Sequence, residues 1–65
     1  MHAVVSTNVR KVGYDSSTRT MRVEFKSSRV YDYLGVSEDL YRQMLQPHPW
    51  RRLRRQVLTH TAIPR

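Results

Sequence analysis

Between Pro47 and His60 the chain reads PHPWRRLRRQVLTH, with Arg51, Arg52, Arg54 and Arg55 set among Trp50, Leu53, Val57 and Leu58. Guanidinium groups at this density suit phosphate or carboxylate, because each is planar, permanently charged and able to donate two parallel hydrogen bonds to an oxyanion. On a helical wheel with steps of about 100°, Leu53, Val57 and Leu58 lie within about 80° of Trp50. Arg51, Arg55 and Arg52 fall at about 100°, 140° and 200°, and Arg54 flanks the apolar stripe. No acid stands one turn away to offset the mutual repulsion of these cations. The spacing therefore predicts a basic helix face turned from the core, with Arg42 extending it.

The rest of the charge pattern points the same way. Twelve Lys+Arg against five Asp+Glu give a net charge of +7 over 65 residues. Residues 1–39 hold six basic and five acidic groups, whereas residues 40–65 hold six arginines and no acid. A basic half on a nearly neutral half fits a polyanion or an acidic protein surface. Tyr31 and Tyr33 are further candidates. Two tyrosines spaced by two on a strand fit core packing, and they also fit a platform on which an unpaired base stacks.

Other chemistry finds no support. His2, His48 and His60 are widely separated and form no set with metal-ligand spacing. There is no Ser–His–acid arrangement, no carboxylate pair with a supporting pocket, and only the isolated Gly13 and Gly35 in place of a phosphate-cradling loop. The expectation is binding without catalysis, metal or cofactor. No apolar run approaches the roughly 20 residues needed to cross a bilayer. The first residues, MHAVVSTNVRK, lack the apolar stretch of a secretory signal. A cytoplasmic protein with no membrane partner is expected.

The elements that must position these residues are short. Residues 8–14 have strand character and lead into the polar turn Asp15-Ser16-Ser17-Thr18. Residues 19–26 alternate, with Met21, Val23 and Phe25 on one side and Thr20, Arg22, Glu24 and Lys26 on the other. Residues 29–34 form a third strand. A two-residue loop at Ser27-Ser28 would turn Asp32 toward the core and both tyrosines outward, which is costly without a partner for the carboxylate. A pairing shifted by one residue reverses this and is preferred.

Ser37 caps a helix over 38–46 with Glu38 and Asp39 in its first turn, Pro47 and Pro49 end it, and Pro49 opens the arginine-bearing helix. Residues 61–65 read as a loose tail. The expected fold is a single α+β domain over 1–65, with its core over about 4–58. It is a three-stranded antiparallel β-meander followed by two short helices packed on one face. At this size a weak homodimer is compatible with the sequence, though no symmetric interface is visible in it.

Taken in order, Ser6, Val12-Gly13-Tyr14-Asp15, the alternating strand ending at Phe25, Val30-Tyr31-Asp32-Tyr33, Val36 and the helix with Leu40-Tyr41 and Leu45 resemble the KTSC domain. That family comprises domains of about this size at the C-terminus of some lysyl-tRNA synthetases and as stand-alone bacterial or phage proteins. Its central Tyr-x-Tyr corresponds to Tyr31-Asp32-Tyr33, and the resemblance runs from residue 4 to about 58. Gln46-Pro47-His48-Pro49 stands where the family has a Ser/Gly-containing turn, followed by Trp50 as the expected aromatic.

The resemblance implies an RNA- or tRNA-associated module. Arg51, Arg52, Arg54 and Arg55 would hold phosphates, Arg42 would extend the patch, and Tyr33 or Tyr31 would stack on a base. The alternative is a transcription regulator, bacterial or phage-encoded, whose arginines dock on acidic residues of RNA polymerase.

Overall fold

Met21, Val23 and Phe25, on alternate positions of the middle strand, turn their side chains to one side, and the remaining elements assemble over them. The computed structural model describes all 65 residues. In chain order these form β1 (His2–Ala3), β2 (Val9–Asp15), β3 (Thr20–Phe25), β4 (Val30–Tyr33), α1 (Glu38–Met44), α2 (Pro49–Val57) and β5 (Ala62–Pro64). The strands make one antiparallel sheet in the order β1-β2-β3-β4-β5. Val9, Val12, Met21, Val23 and Tyr33 from the sheet pack with Val36, Leu40, Met44, Leu53 and Val57 as one core. The two helices thus cover one face of the sheet.

Five strands replace the expected three. β1 adds the pairs His2↔Val12 and Ala3↔Lys11 at one edge. Residues 61–65, expected to be loose, supply the other edge. β5 pairs Tyr31↔Pro64, Asp32↔Ile63 and Tyr33↔Ala62, and the Arg65 N–H donates to the Val30 carbonyl at 2.8 Å. An edge position tolerates Pro64, which has no N–H to give to a ladder.

The shifted register of β4 is the observed one. Met21↔Tyr33, Arg22↔Asp32 and Val23↔Tyr31 are partners. The loop between the strands is therefore Lys26–Ser28, three residues rather than two. Phe25 N–H donates to Arg29 O, and Ser28 N–H to Phe25 O. Ser28 takes φ 74°, a left-handed conformation that three-residue hairpins usually give to glycine. One extra residue in the loop turns both tyrosines toward the helices and Asp32 toward the open face.

Ser37 caps α1 as expected, its Oγ accepting from the Leu40 N–H at 3.1 Å. The helix stops at Met44, two residues short of the expected end. Pro47 accounts for this, since it disfavours helical geometry at the residue before it. His48 then adopts φ 54° and donates its N–H to the Val5 carbonyl. Pro49 begins α2 at a position where no N–H is needed.

Candidate functional site

Pro49, Leu53 and Val57 bury one stripe of α2, Trp50 is half-buried, and Arg51, Arg52, Arg54 and Arg55 are all exposed. With Asn8 and Trp50 these four arginines line one open depression of about 460 Å³. The ion pairs of the chain are Arg10–Glu24, Arg22–Asp32, Arg42–Glu38 and Arg65–Asp32, and none includes an arginine of α2.

The four are not equivalent. Arg52 donates from Nη2 to the Gln43 carbonyl at 3.1 Å and from Nε to the Pro47 carbonyl at 3.4 Å. It ties α2 to the C-terminal end of α1, giving a second donor to a Gln43 carbonyl that already accepts from the Gln46 N–H at 3.2 Å. Arg51, Arg54 and Arg55 make no side-chain hydrogen bond or ion pair within the chain and are the free cations of the face. Arg42 is exposed but paired with Glu38 one turn earlier on α1. It lies outside the depression that the α2 arginines line.

The two tyrosines also separate. Tyr33 is 3% exposed, and burial pushes its hydroxyl pKa up, with the neighbouring Tyr31 adding to the shift. Its ring belongs to the core. Tyr31 is half-buried and meets Phe25 edge-on, with centroids 6.0 Å apart at 77°. Trp50, which fits the core on the wheel, instead stands half-buried against Phe25 at 4.9 Å and 82°. Beyond it opens an apolar groove of about 410 Å³ bounded by Phe25, Tyr31, Leu58 and Ala62, with Arg29 on the rim. Trp50 lines both hollows. Sequence reading missed Asn8 and Arg29 as members of this surface, because only the folded sheet brings residues 8 and 29 beside α2.

Tyr14 and Tyr41 are structural. Their rings stack 4.9 Å apart at 13°, and the Tyr14 hydroxyl donates to the Val36 carbonyl at 2.6 Å.

The face of the sheet away from the helices holds a larger depression of about 560 Å³, lined in part by Gly13, Arg22, Asp32 and Arg65. Its cations are already occupied. Arg22 donates to Asp32 through Nε at 2.7 Å and Nη2 at 3.1 Å, and Arg65 through Nε at 2.8 Å. The bond from Arg22 is the main cause holding the Asp32 carboxyl below its usual range. Arg65 assists, and burial opposes both. This hollow offers an incoming anion far less than α2 does.

No group of three or more His, Cys, Asp or Glu residues is placed to hold a metal ion. No helix is long and apolar enough to cross a membrane. The family model of the KTSC domain matches residues 5–48, and the chain belongs to the KTSC domain family. No curated protein matches the chain. The family match stops at His48, so α2 and β5 lie beyond it.

Proposed function

We propose that this KTSC domain is a small non-catalytic RNA-binding module that grips phosphates on the exposed face of α2. One observation carries the reading: Arg51, Arg54 and Arg55 stand exposed together without a single carboxylate among them. Like charges at helical spacings of three and four destabilise a helix. The cost is removed when an anion settles over them, and an RNA backbone supplies anions at the spacing of its nucleotides. Contacts of this kind position a nucleic acid without reading its sequence. Transfer RNA is the favoured form, given the occurrence of such domains in lysyl-tRNA synthetases.

A second reading draws on the same surface. Trp50 and Leu58 place an apolar centre beside the arginines, an arrangement common where proteins meet. An acidic patch of RNA polymerase would then be the target.

Pull-down from a bacterial lysate, with and without nuclease, separates the two. RNA binding predicts recovery of RNA that nuclease abolishes, together with direct shifts of purified RNA at low salt. A single large protein complex retained after nuclease treatment, with no shift of purified RNA, would support the polymerase reading instead.

A further inference from the structure

We infer that the groove beyond Trp50 receives the base of an unpaired nucleotide, so that the domain binds single-stranded RNA in preference to duplex. The inference rests on the RNA reading above and deepens it by naming the part of an RNA the surface selects, an unpaired stretch such as a loop or end of a transfer RNA rather than its paired stems.

Proteins that bind single strands pair a cationic track for the backbone with aromatic rings on which bases stack. Both parts are present and adjacent. The arginine depression and the apolar groove share Trp50 as their common wall, and no acidic side chain lines either one. Arg29, exposed and outside every ion pair, also lines the groove. A strand whose phosphates lie on Arg51, Arg54 and Arg55 therefore meets one further cation and a mainly apolar lining at the groove.

The rings lining the groove meet at tilted or steep angles. Phe25, Tyr31, Tyr33 and Trp50 form a chain of contacts with interplanar angles of 77°, 82°, 40° and 49°. None is a parallel stack, in contrast to the 13° of Tyr14 on Tyr41 in the core region. Leu58, at 58% exposure, is an aliphatic side chain held in solvent on the same wall. The volume of about 410 Å³ lies within the roughly 300–1,000 Å³ usual for small-ligand pockets. A paired base cannot enter, because its faces are covered by its neighbours in the stack, whereas an unpaired base can be splayed out.

Trp50 is the chain's single tryptophan and lines both hollows, so its fluorescence reports binding at either, and the Tyr31 and Leu58 variants tell the two apart. The full chain is titrated at low salt with a short mixed-sequence single-stranded RNA, with an RNA duplex of equal charge and with polyglutamate. The single strand is expected to quench Trp50 and to bind at least tenfold more tightly than the duplex. Tyr31→Ala is expected to weaken the single strand about tenfold and leave the duplex unchanged, in keeping with the usual loss of one base–aromatic stack. Leu58→Ser, an uncharged change on an exposed side chain, should have the same selective effect.

Equal affinity for both RNAs, with Tyr31→Ala and Leu58→Ser neutral, overturns the groove assignment and leaves the arginine face intact. Quenching by polyglutamate equal to that by RNA also overturns it, since bases are then irrelevant. Absence of any RNA binding overturns the reading on which it rests.

Discussion

The two faces of this domain use arginine in opposite ways. On the open face of the sheet, Arg22 and Arg65 converge on Asp32, whose side chain is 5% exposed, and their charge is spent holding β3, β4 and β5 together. On α2, Arg51, Arg54 and Arg55 face solvent with no carboxylate to meet them. The same residue type serves as a clamp where an acid is supplied and as a free cation where none is. What distinguishes the two is the placement of five acids, all within the first 39 residues, which leaves α2 without a counter-charge.

Substitutions that exchange these conditions separate the faces. The largest effect is expected on the free face. Arg51→Glu/Arg55→Glu should lower RNA affinity about a hundredfold, on the order of 2.7 kcal/mol. Stability should move by no more than about 0.5 kcal/mol, as for other surface changes. Fluorescence anisotropy and urea denaturation on the same sample check both halves.

The clamp should respond the other way round. Asp32→Ala leaves two arginines facing each other over a missing acid and is expected to cost about 2 kcal/mol in urea denaturation. That is a large fraction of the few kcal/mol available to a chain of this size. RNA affinity of the folded fraction should stay unchanged. A fall in affinity to match would show that the faces are coupled.

Acid gives a subtler view of the same contrast. Asp32 is held below the usual carboxylate value of about 3.9 in the folded state. The stability it contributes is therefore complete above about pH 4 and is lost as pH falls through its lower folded value. Unfolding midpoints should accordingly show a larger drop on acidification for the native chain than for Asp32→Asn. The smallest effect belongs to Arg42→Ala, which removes an exposed pair with Glu38 and should cost at most about 0.5 kcal/mol.

Much of this contrast is legible in the sequence, and the gaps have physical causes. Alternation at Met21, Val23 and Phe25 fixes the facing of the middle strand, and the cost of burying Asp32 unpaired selects the register that turns Tyr31 and Tyr33 inward. The absence of acids after Asp39 marks the free arginines. β5 escapes such reading because it is only three residues long and contains Pro64, which counts against a strand everywhere except at an edge. It is held by the ladder to β4 and by Arg65 on Asp32, contacts about thirty residues apart along the chain. Tyr31 and Tyr33 look alike in sequence, and only the packing of Trp50 and α2 leaves one ring half-open and covers the other. The attachment of Arg52 to the end of α1 depends likewise on how the chain turns at Pro47 and His48.

The most direct test is the dependence of RNA affinity on salt, measured for the native chain and for Arg51→Glu/Arg55→Glu. Three or four phosphates held on α2 give a log–log slope of about −2 to −3 for a single strand, and the charge-reversed chain should bind about a hundredfold more weakly at low salt with a much flatter slope. A flat salt profile for the native chain, or an equal profile for the variant, would place the contact somewhere other than α2.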